Sequence, residues 1–178
     1  MADIVIGIAS SRTPQGKYQR CERAIEELTA ALRAAAPDVA LVIGNDQREL
    51  FIDDGIPTFA CFTGPSLIDA PPNAEAVAGL PQGIRAAHWA APPKRPVIHP
   101  VDAELSEHIA EQLAWDDFDL TVFTRQPAGR SLGHAFTFPW YRLGLPATTP
   151  IVAMFVNTCY PPNVPSAAGT GMAFARWS

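Results

Sequence analysis

The chain has 178 residues, a length that suits one hydrophobic core rather than two. Its 48% hydrophobic and 17% charged content excludes a disordered protein. A formal charge of −5, no basic run denser than Lys94-Arg95 and no apolar run near 20 residues argue against nucleic acid and membrane partners.

Ile4 to Ile8 is a short apolar run rich in β-branched residues, the pattern of a strand covered on both faces. A polar turn, Ser10 to Pro14, follows it. From Lys17, the apolar positions Tyr18, Cys21, Ile25, Leu28, Leu32 and Ala35 recur every three or four residues, which predicts an amphipathic helix stopped by Pro37. Val39 to Ile43 is a second buried strand. Residues 4–43 therefore form a strand–helix–strand unit, whose crossover is right-handed when the strands are parallel. That connection brings Ser10–Thr13 and Asn45–Gln47 to the carboxyl edge of the sheet, where ligands bind in open α/β folds.

Only Pro14 and Pro37 lie in the first fifty residues, against sixteen prolines from Pro57 to Pro165. Phe59–Phe62 can form a short strand. Residues 65–100 hold eight prolines and little periodicity, so most of this stretch is expected to be loop, serving as a lid or an interface arm. Asp102 is placed to cap a helix carrying Leu105, Ile109 and Leu113. Leu120–Phe123 and Ile151–Val156 are the remaining strands, separated by an aromatic segment from Ala135 to Leu143. The fold expected is α/β, with a mixed, largely parallel sheet flanked by helices and a long proline-rich loop region. Residues 1–178 are read as one domain.

Polar residues cluster after three strands, Ser10 to Pro14, Asn45 to Glu49 and Asn157 to Asn163, and a fourth cluster, Ser131 to Phe136, lies in the loop before the aromatic segment. Water at strand ends explains each cluster alone, whereas their convergence would make a site, because the sheet fixes their relative positions. His134 is the strongest acid–base candidate. Imidazole titrates near neutrality, and Phe136, Phe138 and Trp140 suggest an apolar pocket around it. His88 and His108 have less in their favour, and His99, ahead of Pro100, can brace a turn. Three widely spaced cysteines, Cys21, Cys61 and Cys159, indicate neither a disulfide framework nor a cysteine zinc site, and the chain reads as cytoplasmic. A glycine-rich phosphate loop, a nucleophile elbow and a dinucleotide fingerprint are all lacking, and no activated nucleophile for a hydrolase can be named.

Four segments in order carry a family resemblance: Ile-Gly-Asn-Asp-Gln at 43–47, Phe51, Gly-His-Ala-Phe at 133–136, and Pro-Ile-Val-Ala-Met-Phe-Val-Asn-Thr-Cys-Tyr-Pro-Pro-Asn at 150–163 with Pro165. Together they resemble the class III extradiol ring-cleavage dioxygenases, the family of the protocatechuate 4,5-dioxygenase catalytic (beta) subunit. The resemblance spans essentially the whole chain and is weakest from Pro65 to Pro96. It implies opening of a catechol-type phenolic acid by dioxygen at non-haem Fe(II), held by two histidines and a glutamate. His134 matches the family's acid–base histidine.

The ligand positions depart from the family pattern. Arg12 stands at the first histidine position, and a guanidinium has no lone pair for iron. Gln47 stands at the second, next to Asp46, which could coordinate instead. The glutamate is expected beyond Ser178, so the domain is expected to be incomplete at its C-terminus. Three explanations stay open: a metal-free relative in which Arg12 binds an anionic group, a subfamily with other ligands, or a truncated product. The resemblance thus implies a dioxygenase with Fe(II) or, as the alternative, an inactive metal-free homologue that binds an aromatic acid or serves as a partner subunit. Expected substrate-binding residues are Arg12, Gln47, Asn157 and Tyr160, and the expected assembly is a homo- or hetero-oligomer.

Overall fold

The structure is a computed structural model that describes residues 15–46, 48–52, 55–71, 74–79, 82 and 93–157. The expected strand at residues 4–8 lies outside them. Helix α1, Gln15–Ala35, ends where Ala36 turns to a left-handed φ of 43° just before Pro37. Strand β1, Ala40–Gly44, follows, and then come β2, Phe59–Phe62, and β3, Ser66–Asp69. The short helix α2, Ala74–Ala78, precedes β4, Val97–Pro100, and helix α3, Ala103–Trp115. Asp102 caps α3, its Oδ1 accepting from the Leu105 amide at 3.0 Å. Strand β5, Thr121–Phe123, helix α4, His134–Tyr141, and strand β6, Ile151–Val156, complete the described elements.

Four strands form one sheet in the order β1-β6-β2-β5. The β1/β6 and β2/β5 pairs are parallel and the β6/β2 pair is antiparallel, so the sheet is mixed and largely parallel. At the centre of the sheet both faces are covered, which explains the unbroken apolar run of β6, whose residues 151–155 are all buried, while Leu41 and Ile43 of β1 and Val122 of β5 are exposed. Cys61, Val152 and Met154 pack with Ala110 and Leu113 of α3 on one face. Val42, Phe62, Ala153 and Phe155 pack with Leu50, Phe51, Phe136 and Trp140 on the other. Edge-to-face rings hold that second face: Phe51 lies 5.2 Å from Phe123 and 5.3 Å from Phe155.

The segment expected to be mostly loop contains more order than its sequence suggests. β3 and β4 pair antiparallel with Leu67 opposite His99, and α2 lies between them in the chain. The inner face of this pair carries Leu67, Asp69 and His99, all buried, while Ile68 and Ile98 face outward. The other edge of β3 is closed by residues 126–132: Gln126 accepts from the Ile68 amide at 2.7 Å and donates to its carbonyl at 2.8 Å, and the Leu132 amide donates to that same carbonyl at 2.9 Å.

Candidate acid–base site

β1 and β6 run parallel, so their carboxyl ends meet at one edge of the sheet, and β2 starts from that same edge because it is antiparallel to β6. Asn157 follows β6 directly and ties this edge together. Its amide donates to the Thr58 carbonyl at 2.8 Å, its Nδ2 donates to the Pro57 carbonyl at 3.0 Å, and its Oδ1 accepts from the Asp46 amide at 3.2 Å. Fully buried, this side chain spends its polar groups on backbone.

Asp46 follows β1 and organises the next turn. One carboxylate oxygen accepts from the Leu50 amide at 2.7 Å, and the other accepts from Glu49 at 3.1 Å and Phe51 at 2.8 Å. The residue is 1% exposed. Burial pushes its carboxyl above the usual carboxylate range; the Phe51 and Leu50 amides oppose that shift, and the nearby Glu49 charge adds to it. This carboxylate knots the 46–51 turn, and the turn seats Leu50 and Phe51 in the core while leaving Glu49 at the surface edge.

Glu49 meets His134, the first residue of α4. Its Oε2 accepts from the His134 amide at 3.0 Å, and His134 Nδ1 lies 2.9 Å from Oε2 and 3.0 Å from Oε1. One carboxylate therefore satisfies an orphan amide at a helix start and holds the ring attached to it. The bond to Glu49 raises the His134 pKa, desolvation opposes the rise, and the charges of Glu49 and Asp46 add to it. With Nδ1 engaged, Nε2 is the nitrogen left to exchange a proton. Gly133 makes the approach possible, since a Cβ there would sit 2.6 Å from Glu49 Oε2.

Among the described residues no apolar pocket encloses His134, whose side chain is 47% exposed. Phe136 and Trp140 are one turn apart and point into the core, on the far side of the helix from His134. The structure brings together Asp46, Asn157 and, through Glu49, His134. Arg12, Gln47 and Tyr160 lie outside the described residues. Glu49 was not singled out in the sequence. Its only signal is position, three residues after an Asp that caps its amide.

Among the described residues no group of three or more His, Cys, Asp or Glu side chains is placed to hold a metal ion. Both Asp46 oxygens are already taken by main-chain donors. The described residues alone therefore do not fit an iron centre. A scan of known protein families finds no match to this chain, and a search of curated proteins finds none.

Proposed function

We propose that this edge of the sheet is an acid–base site for a phenolic acid, with His134 taking and returning a hydroxyl proton at Nε2. The observation that carries this reading is the Glu49 carboxylate against Nδ1. It fixes the ring, stabilises the imidazolium that proton uptake creates, and leaves the other nitrogen for substrate. The motif resemblance supplies the substrate class. In that reading the chain is an extradiol dioxygenase-like protein acting on a catechol-type acid. Fe(II) would supply dioxygen activation, and the described residues would supply proton transfer and orientation.

The second reading is a metal-free homologue that binds an aromatic acid or serves as a partner subunit in an oligomer. A specific observation favours it: Asp46, the described carboxylate nearest the family's ligand position, is committed to three amides. Among the described residues no helix is long and apolar enough to cross a membrane. The free thiols of Cys21 and Cys61 support the proposed cytoplasmic setting.

Anaerobic loading with Fe(II), followed by a dihydroxybenzoate and dioxygen, tests the first reading. Retained iron and a yellow ring-opened product are the expected result. If no iron is retained and no product forms, while dihydroxybenzoate binds the metal-stripped protein as tightly as the iron-treated one, the second reading replaces it.

A further inference from the structure

His99 lies on the inner face of the β3/β4 pair, 2% exposed, and its ring stacks on Trp140 of α4 with centroids 3.8 Å apart and planes 22° apart. Among the described residues neither ring nitrogen has a hydrogen-bond partner, and Trp140 Nε1 has none either. Buried polar nitrogens are nearly always paired, so a fully unpaired imidazole under a strand pair calls for a physical account. Diagonal to it on the same face, Asp69 accepts from the Tyr141 hydroxyl at 2.7 Å and from Ser131 Oγ at 3.0 Å. Two neighbouring positions of the strand pair thus grip two consecutive aromatic residues at the end of α4.

We propose that His99 is a pH-sensitive latch: its neutral ring holds the β3/β4 pair on α4, and a proton taken from solvent releases that pair. A neutral imidazole stacks on indole as an apolar disc. An imidazolium in the same place is a buried charge with two N–H donors and no acceptor, a desolvation cost larger than the attraction of the Trp140 face for a cation. The groups facing the ring do not relieve it. Asp69 is occupied by two hydroxyls, Tyr141 donates to Asp69, and Glu49, whose charge is felt at Asp69, is engaged with His134. Burial also lowers the affinity of His99 for a proton, the direction the latch requires. Because α4 begins at His134, release at its far end reaches the acid–base site through one short helix.

Amide exchange followed residue by residue by NMR, corrected for intrinsic rates, tests the latch in the full chain. Between about pH 7.5 and about pH 5.5 the β3 and β4 amides should lose protection by up to roughly tenfold, the most that a histidine titrating at about 6.5 in the open state can give at pH 5.5, while β1 and β6 amides hold theirs. His99→Phe keeps the stack without the titration and should abolish the loss. Equal protection at both pH values in the unaltered protein, or the same loss in His99→Phe, overturns the proposal. Should His99→Phe fail to fold, the ring resonances of His99 in the unaltered protein decide. Protonation together with loss of β3/β4 protection upholds the latch, and protonation with the pair still protected removes it.

Discussion

Glu49 holds His134 twice, accepting the helix-starting amide at 3.0 Å and facing ring Nδ1 at 2.9 Å. The two contacts come from one carboxylate whose position is set a few residues away by Asp46. Removing the carboxylate charge should therefore change the chemistry of the ring more than the stability of the fold.

Glu49→Gln should lower the His134 pKa, read by ring NMR, because the bond and the charge that raise it are both weakened. If ring opening is observed, the rising limb of its pH profile should move to lower pH in this variant. His134→Gln should cost about 10²–10⁴-fold in turnover, the usual range for a lost acid–base group. The folded-state pKa of His134 lies above the 6.5 of a free histidine, so its stabilising contribution is full below that pH and is lost as pH rises through the folded value. That contribution is at most about 1 kcal/mol for a pair this exposed.

Gly133→Ala offers a steric version of the same experiment. Its φ of −67° suits alanine, but the added Cβ would meet Glu49 Oε2 at 2.6 Å and push that side chain off His134. The His134 pKa should fall as in Glu49→Gln, with a stability change within about 1 kcal/mol by urea titration.

Asp46→Ala should behave differently, as a folding variant. It strips the Leu50 and Phe51 amides of their acceptor, while the Glu49 amide keeps the Asp46 carbonyl at 3.2 Å; each buried donor left unpaired costs about 1–3 kcal/mol, so a loss of roughly 2 kcal/mol or more is expected. Asn157→Ala removes the acceptor of the Asp46 amide. The double variant should lose less than the sum of the two single ones, since the residues share one network.

Alkylation separates two of the cysteines. Burial pushes the Cys61 thiol up to about 12, and it sits beneath α3, whereas Cys21 is half-buried on α1. Iodoacetamide at neutral pH should label Cys21 in the native chain and reach Cys61 only after denaturation, as read by peptide mass mapping.

Much of the sheet was legible in the sequence because its central strand, Ile151–Val156, is buried on both faces and so reads as a continuous apolar run. β3 and β4 were not, for a specific reason. Their inward positions include Asp69 and His99, and their outward positions include Ile68 and Ile98, which inverts the alternation by which a half-buried strand is recognised. α4 was hidden by Pro139 inside it and by Gly133, a cap without a side chain. In the site, His134 and Asp46 stood out by residue type. Glu49 did not, because its partner is 85 positions away and only the tertiary fold brings them together.

The side-chain amide of Gln126 has a consequence for solubility. An exposed strand edge offers a template on which a second chain can add a strand and begin to aggregate. At Ile68 both the donor and the acceptor of that edge are already taken, as they would be by a neighbouring strand. A strand pair that bears two outward isoleucines is thus denied the hydrogen bonds that a stray copy would need to extend it there. Gln126 blocks strand addition at this one position without adding any charge to the surface.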